Sequence, residues 1–226
     1  MALIAAIGFP AMKAMSGTAL QTASRQFSNA LILARQYAIN MRTPVRVTIA
    51  VDSTKMGAAS SNLICRAYAI YWASNDLNGA TIAWWPLQDW RVLPTGVIFS
   101  DHNTSSYNWV TPDPVPAPGQ QTRTLGSGSP EWQYFNNASS TMPLITNVAL
   151  ASSTNNITTS YIEFRPTGAA AEIASSSGVG GVRLALGTVT IPGNRTLVLN
   201  NTSNWVCVEY DNRIGRVRVR NPESYQ

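Results

Sequence analysis

The sequence predicts an α+β fold in which one long N-terminal α-helix packs on an antiparallel, β-sandwich-like body. Three observations predict it. The first forty-two residues carry no acidic side chain and follow a helical period. From Val45 onward, short β-branched runs alternate with Gly, Pro, Asn and Ser turns. Strands of that kind form antiparallel sheets with one face in need of cover, and the amphipathic stretch from Leu20 to Met41 supplies it. The chain has 226 residues, 45% of them hydrophobic and 12% charged. A domain commonly holds about 100–200 residues, so a helix over 1–42 and one body over 43–226 is the economical partition.

The helix has two parts. Met1 to Met12 (MALIAAIGFPAM) is apolar throughout, broken only by Gly8 and Pro10. Beyond Lys13, Leu20, Phe27, Leu31, Ala34, Ala38 and Met41 recur at three- to four-residue steps, while Gln21, Arg25, Asn29, Gln36 and Asn40 fill the opposite face. At 1.5 Å per residue this helix is roughly 60 Å long, more than one body needs as cover. Pro10 lacks an N–H and should kink or locally melt it, with Gly17 a second weak point. It should stop near Arg42, because Thr43 precedes Pro44 and is pushed out of the α region. The apolar tip falls short of the about 20 apolar residues that span a bilayer.

The strands follow in order. Val45 to Val51 (VRVTIAV) alternates and is β-branched. After a loop at 52–61, Leu63 to Trp72 is a second strand, and the turn around Asn75 to Gly79 precedes Ala80 to Trp85. Trp90 to Ser100 holds a strand, a Pro-Thr-Gly turn and another strand. Residues 101–160 read as an irregular insertion punctuated by Pro112, Pro114, Pro116 and Pro118, with Leu144 to Leu150 as a strand inside it. Strands resume at Tyr161–Arg165, Val182–Leu186, Leu197–Leu199, Trp205–Tyr210 and Arg216–Arg220.

Composition narrows the chemistry. Low charge with abundant Ser, Thr, Asn and Gly favours an extracytoplasmic protein over a cytosolic enzyme. The net charge is +5 and the pI near 9.5, a balance that suits an anionic partner or simple solubility. Two cysteines, Cys65 and Cys207, sit in strand-like apolar runs; one disulfide and two buried free thiols fit equally well. Two Cys, one His and no clustered carboxylates build no zinc site, and no metal or cofactor is expected. His102 beside Asp101 lacks a nucleophile, so no catalytic set can be drawn and no small-molecule substrate follows. Asp76-Leu77-Asn78-Gly79 has a fragment of calcium-loop character without the remaining ligands, and is a turn. The tryptophans, Trp84, Trp85 and Trp90 among them, are core or subunit contacts before they are a stacking platform. The N-x-S/T triplets at Asn103, Asn137, Asn156, Asn194, Asn200 and Asn201 are what an Asn/Thr-rich chain contains by chance.

Four passages carry a family resemblance. Leu31-Ile32-Leu33-Ala34-Arg35-Gln36-Tyr37-Ala38-Ile39 followed by Pro44-Val45-Arg46-Val47 resembles the helix exit of the GspH/FimT-type pseudopilins and pilins of the type IV filament superfamily. Trp90-Arg91-Val92-Leu93-Pro94-Thr95-Gly96-Val97 is similar to that family's tryptophan and "LPxGV" turn. Phe164-Arg165-Pro166-Thr167-Gly168 resembles its "FRPxG" hairpin, and Gly215-Arg216-Val217-Arg218-Val219 its closing strand. Pro10 matches the kinking proline of pilins, which implies further residues upstream, where the family carries a basic leader, a processed glycine and an early acidic residue.

The resemblance implies a structural subunit of a type IV pilus-like or type II secretion pseudopilus filament. Such a subunit waits in the inner membrane, then joins a periplasmic or extracellular helical homo-oligomer with other pilins. The assembly contacts would come from Leu3, Ile4, Ile7, Phe9, Pro10, Met12, Leu20 and Phe27. Burying the apolar tip among copies is worth on the order of 10–20 kcal/mol gross. The resemblance also implies an alternative, a minor pilin that captures DNA through a Gly-Arg-x-Arg ending. Here Arg213, Gly215, Arg216, Arg218 and Arg220 are the candidates, with the last three alternating along one strand face.

Overall fold

A computed structural model of the chain describes residues 2–50, 63–75, 81–103, 122–124, 140–143, 156–171, 179–190, 196–199 and 204–221, with the helix described by its backbone alone before residue 17. Helix α1 runs from Ala2 to Met41, 40 residues. Its helical assignment continues through Pro10 and Gly17, so the helix does not melt where the sequence predicted a break. A proline inside a helix removes one hydrogen bond, and the neighbouring turns carry the rest.

The polar and apolar faces of α1 divide as its periodicity requires. Leu20, Ala23, Phe27, Ala30, Leu31, Ala34 and Ala38 are buried, while Gln21, Arg25, Asn29, Gln36 and Asn40 are exposed. Leu20 and Phe27 therefore belong to the chain's own core and are not free for contacts between subunits, contrary to the expectation above. Their spacing puts them on the stripe that faces the sheets. Met41, expected on that stripe, is exposed at the last helical residue, where the chain turns away. Phe27 is the centre of an edge-on aromatic trio, with ring centroids 4.9 Å from Phe99 and 5.4 Å from Tyr68. Each such pair adds about 0.5–1.5 kcal/mol beyond the area it buries.

The helix ends as its sequence dictates. Arg42 takes a left-handed conformation (φ 53°), and Thr43 and Pro44 lead into β1 (Val45–Ala50). The Thr43 hydroxyl donates to the Ala73 carbonyl, and the Ala73 N–H donates to the Pro44 carbonyl at 2.8 Å. These bonds fix the crossing from helix to sheet.

Two antiparallel sheets enclose the core. In chain order the remaining strands are β2 (Ala67–Asn75), β3 (Thr81–Val92), β4 (Val97–Asn103), β5 (Thr122–Thr124), β6 (Ser140–Pro143), β7 (Asn156–Phe164), β8 (Val179–Thr190), β9 (Thr196–Leu199), β10 (Trp205–Asp211) and β11 (Val217–Arg220). The first sheet has the order β3-β2-β1-β7-β6; the second is β11-β10-β8-β9-β5, with β4 against β8. Two expected strands merge into β3, across Pro86. Since β3 is an edge strand, the missing N–H breaks no ladder on its outer side. Strands β5 and β6 lie within the stretch expected to be irregular, and each extends one sheet. The strand expected at Leu144 to Leu150 and the turn at Asp76 to Gly79 lie outside the described residues.

One tight turn stitches the sheets together. The Cys65 N–H donates to the Ala50 carbonyl on β1 at 2.7 Å, and the Cys65 carbonyl accepts the Phe99 N–H on β4 at 2.7 Å. Cys65 holds a left-handed φ of 52° to do so. The core between the layers takes Val45, Val47, Ile49, Tyr68 and Ile70 from the first sheet and Val182, Leu184, Val206, Val208 and Tyr210 from the second.

Candidate interaction surface

Three of the four passages singled out in the sequence converge at one point in the fold. Arg35 on α1 reaches the tips of two turns. Its Nε donates to the Gly168 carbonyl at 3.2 Å and to the Ile214 carbonyl at 3.0 Å. Residues 165–168 form a tight turn closed by the Gly168 N–H on the Arg165 carbonyl at 2.8 Å. Residues 211–216 form another, in which the Gly215 N–H meets the Asp211 carbonyl at 2.7 Å and the Asp211 N–H the Arg216 carbonyl at 2.9 Å.

Both glycines are required twice over. Each has a positive φ, 81° at Gly168 and 64° at Gly215. A Cβ at Gly168 would lie 2.8 Å from Ile39 Cδ1 and 3.3 Å from Arg35 Nε. A Cβ at Gly215 would overlap the Gly168 carbonyl oxygen and lie 2.8 Å from Arg35 Cδ. Gly215 is thus a packing residue, buried beneath the turn that presents the arginines.

The five residues proposed to hold DNA separate into different environments. Arg213, Arg216 and Arg218 are exposed. Arg220 is tied to Glu209, Nε to Oε2 at 3.0 Å, and the Glu209 side chain is only 6% exposed. On β10, Cys207 pairs with Arg220 and Glu209 with Arg218, which places Arg218 and Arg220 over the face opposite the core. Arg220 therefore neutralises a buried carboxylate, while Arg213, Arg216 and Arg218 keep their charge in water. Asp211 is occupied by backbone: its Oδ1 accepts the N–H groups of Arg213 at 2.8 Å and Ile214 at 3.1 Å.

The two cysteines are buried thiols that form no disulfide. Cys65 belongs to the central core, where Val206, Val208 and Tyr210 point; Cys207 alternates with those residues and takes the other face of β10. Strand alternation keeps the two sulfurs apart.

The outer face of the first sheet explains two of the tryptophans. Trp90 packs on Ala50, Ala67, Ala69 and Tyr71, and Trp84 joins it over Ala69 and Tyr71. Arg46 is sandwiched between Trp84 and Tyr161, 3.9 Å and 4.0 Å from the ring centroids, with its Nε 2.8 Å from Glu163 Oε2. This is a small second core with a satisfied cation, not an open platform. Burial pushes the Tyr71 hydroxyl up to about 12, against the Trp90 indole, with the charge of Asp89 adding to the rise. Burial also raises Tyr210, whose ring covers its cross-strand neighbour Gly180.

Of the remaining candidates, Asp101 is level with Arg183 and His102 with Val182 on β4. Among the described residues no three His, Cys, Asp or Glu side chains gather as metal ligands. The side chains of Leu3, Ile4, Ile7, Phe9, Pro10 and Met12 lie outside the described residues. Among the described residues no helix is long and apolar enough to cross a membrane. Sequence reasoning missed the Arg35 clasp. Its signal was present in the two turn glycines, whose shared dependence on one helical side chain only the fold reveals.

No protein-family model and no curated protein matches the chain. Among solved structures it is similar to the minor pseudopilin EpsH from the Type 2 Secretion System of Vibrio cholerae, at 10% identity and a TM-score of 0.40, covering 90% of this chain and 97% of that one. A crystal structure of the same pseudopilin gives 11% identity and a TM-score of 0.40, covering 91% of this chain and 96% of that one. A likeness this distant leaves function to the chain's own residues.

Proposed function

We propose that this chain is a structural subunit of a pilin-like filament of the type IV pilus or secretion pseudopilus kind, not an enzyme. The observation that carries the proposal is the 40-residue length of α1 together with the wholly apolar sequence of its opening turns. Among the described side chains of the helix, from residue 17 onward, the buried stripe runs from Leu20 to Ala38. That stripe covers about 27 Å of a helix about 60 Å long. Upstream of it lies the apolar run Met1 to Met12, which needs lipid or neighbouring helices around it. The assembly residues are accordingly Leu3, Ile4, Ile7, Phe9, Pro10 and Met12, with copies of this chain or other pilins as partners. Before assembly, the same run would rest in the inner membrane.

The test is assembly itself. The full chain, reconstituted with its filament machinery or concentrated out of neutral detergent, should form regular polymers visible by negative-stain microscopy. Ile4→Asp with Ile7→Asp should abolish them while the body stays folded by circular dichroism. Polymers that persist in this double variant would refute the proposed role of the tip.

A further inference from the structure

We infer that the end of the molecule formed by the last two turns of α1 and the turns 165–168 and 211–216 is a docking surface for a protein partner with an apolar centre ringed by carboxylates. Ile214 is 55% exposed at the tip of its turn and Ile39 is 39% exposed on the helix. The clasp joins them, because Arg35 holds the Ile214 carbonyl and Gly168 packs against Ile39. Arg165, Arg213 and Arg216 stand exposed on the same two turns. No carboxylate among the described residues pairs with these three, and the nearby Asp211 oxygen is taken up by two backbone N–H groups.

An apolar centre with an arginine rim is the composition of protein–protein contacts, in which arginine is enriched and lysine depleted. Three exposed arginines outweigh the single Asp211 carboxylate on these turns, and the net positive charge selects carboxylates on the other side. Duplex DNA fits less well, since a phosphate backbone offers nothing to an isoleucine at the centre of the contact. The backbone beneath is held still: two glycine turns and one guanidinium fix the tips, so docking orders little that is not already ordered. The surface lies about 50 Å along α1 from its apolar tip. Ile214→Ser and the tip variants therefore touch different ends of α1, so binding here and assembly through the tip can fail independently.

The experiment uses the full chain in neutral detergent with three probes: a peptide in which glutamates flank leucine and phenylalanine, poly-glutamate of equal length, and short duplex DNA. The mixed peptide should bind at least about tenfold more tightly than poly-glutamate, and its affinity should fall with salt. Ile214→Ser and the pair Arg213→Glu/Arg216→Glu should each weaken it about tenfold or more. Trp85→Ser, an exposed apolar position on the edge strand β3, three strands away from β7, should leave it unchanged. Because all these positions are exposed, an unchanged melting temperature certifies the fold. Equal binding of DNA and peptide with no effect of Ile214→Ser would overturn the inference in favour of a general polyanion surface. So would the absence of binding to any probe, or self-association lost in Ile214→Ser, which would make the surface a contact between copies.

Discussion

Arg35 and Ile214 stand 179 positions apart in the chain, and the Arg35 Nε lies 3.0 Å from the Ile214 carbonyl oxygen. The same nitrogen serves the Gly168 carbonyl, so one side chain ties the helix to both turns at this end of the fold. Arg35→Ala should lower stability by about 0.5–2 kcal/mol, because the half-buried Gly168 carbonyl and the exposed Ile214 carbonyl lose a shared charged donor. Arg35→Lys should recover only part, since the flexible ammonium is not held in the plane from which Nε reaches both carbonyls. Chemical denaturation of the full chain in neutral detergent checks both.

Gly215→Ala should cost more than Arg35→Ala. The new methyl meets the Gly168 carbonyl oxygen and Arg35 in a backbone conformation that disfavours side chains. A stability equal to that of the parent chain would show that the clasp is loose.

Phe27→Ala should destabilise the body by about 3–5 kcal/mol, the range for a large aromatic removed from a packed core. Phe27 is wholly buried against Tyr68 and Phe99, so its loss should lower the melting temperature of monomer and polymer alike. A variant of unchanged stability that failed only in assembly would return Phe27 to the subunit interface.

Much of this was legible in the sequence. The three- to four-residue spacing from Leu20 to Ala38 predicted the buried stripe, since one helix face meets one core. The Thr43-Pro44 stop and most strands followed from local rules. Contacts set by tertiary structure were not legible. Phe27 and Leu20 look the same whether they face the chain's own sheets or a neighbour's. The alternation of Arg218 with Arg220 predicted one shared face, but not that Glu209 lies beneath Arg220. Cys65 and Cys207 have similar neighbours in sequence, and only the alternation along β10 sends them to different sides of a sheet.

The arginines of the final strand should therefore behave unequally. Arg220→Ala removes an ion pair from the buried Glu209 carboxylate and should cost about 1–3 kcal/mol, whereas exposed Arg218→Ala should change stability by less than about 0.5 kcal/mol. Thermal melts of the two variants side by side decide this.

Alkaline pH should unfold the body. Tyr71 has its folded pKa raised from 10.0 to about 12, and Tyr68 and Tyr210 are raised as well. A raised folded pKa favours the folded state fully below pH 10 and loses that contribution as the pH climbs through the folded value. Between pH 10 and 12, Tyr71 should lower stability by up to about 1.4 kcal/mol per pH unit, with Tyr68 and Tyr210 acting in the same direction. Tyr71→Phe should flatten the curve; an unaltered slope would place the alkaline transition elsewhere.

The central claim is that the apolar opening of α1 is covered by other copies while Leu20 and Phe27 stay inside their own body. Single cysteines placed along α1 in a Cys65→Ala/Cys207→Ala background, oxidised in the assembled state, test it most directly. The account predicts crosslinks between copies at Ile4 and Ile7 and none at Leu20 or Phe27. Crosslinks at Leu20 and Phe27, or a chain that stays monomeric without detergent and forms none at Ile4 and Ile7, would contradict it.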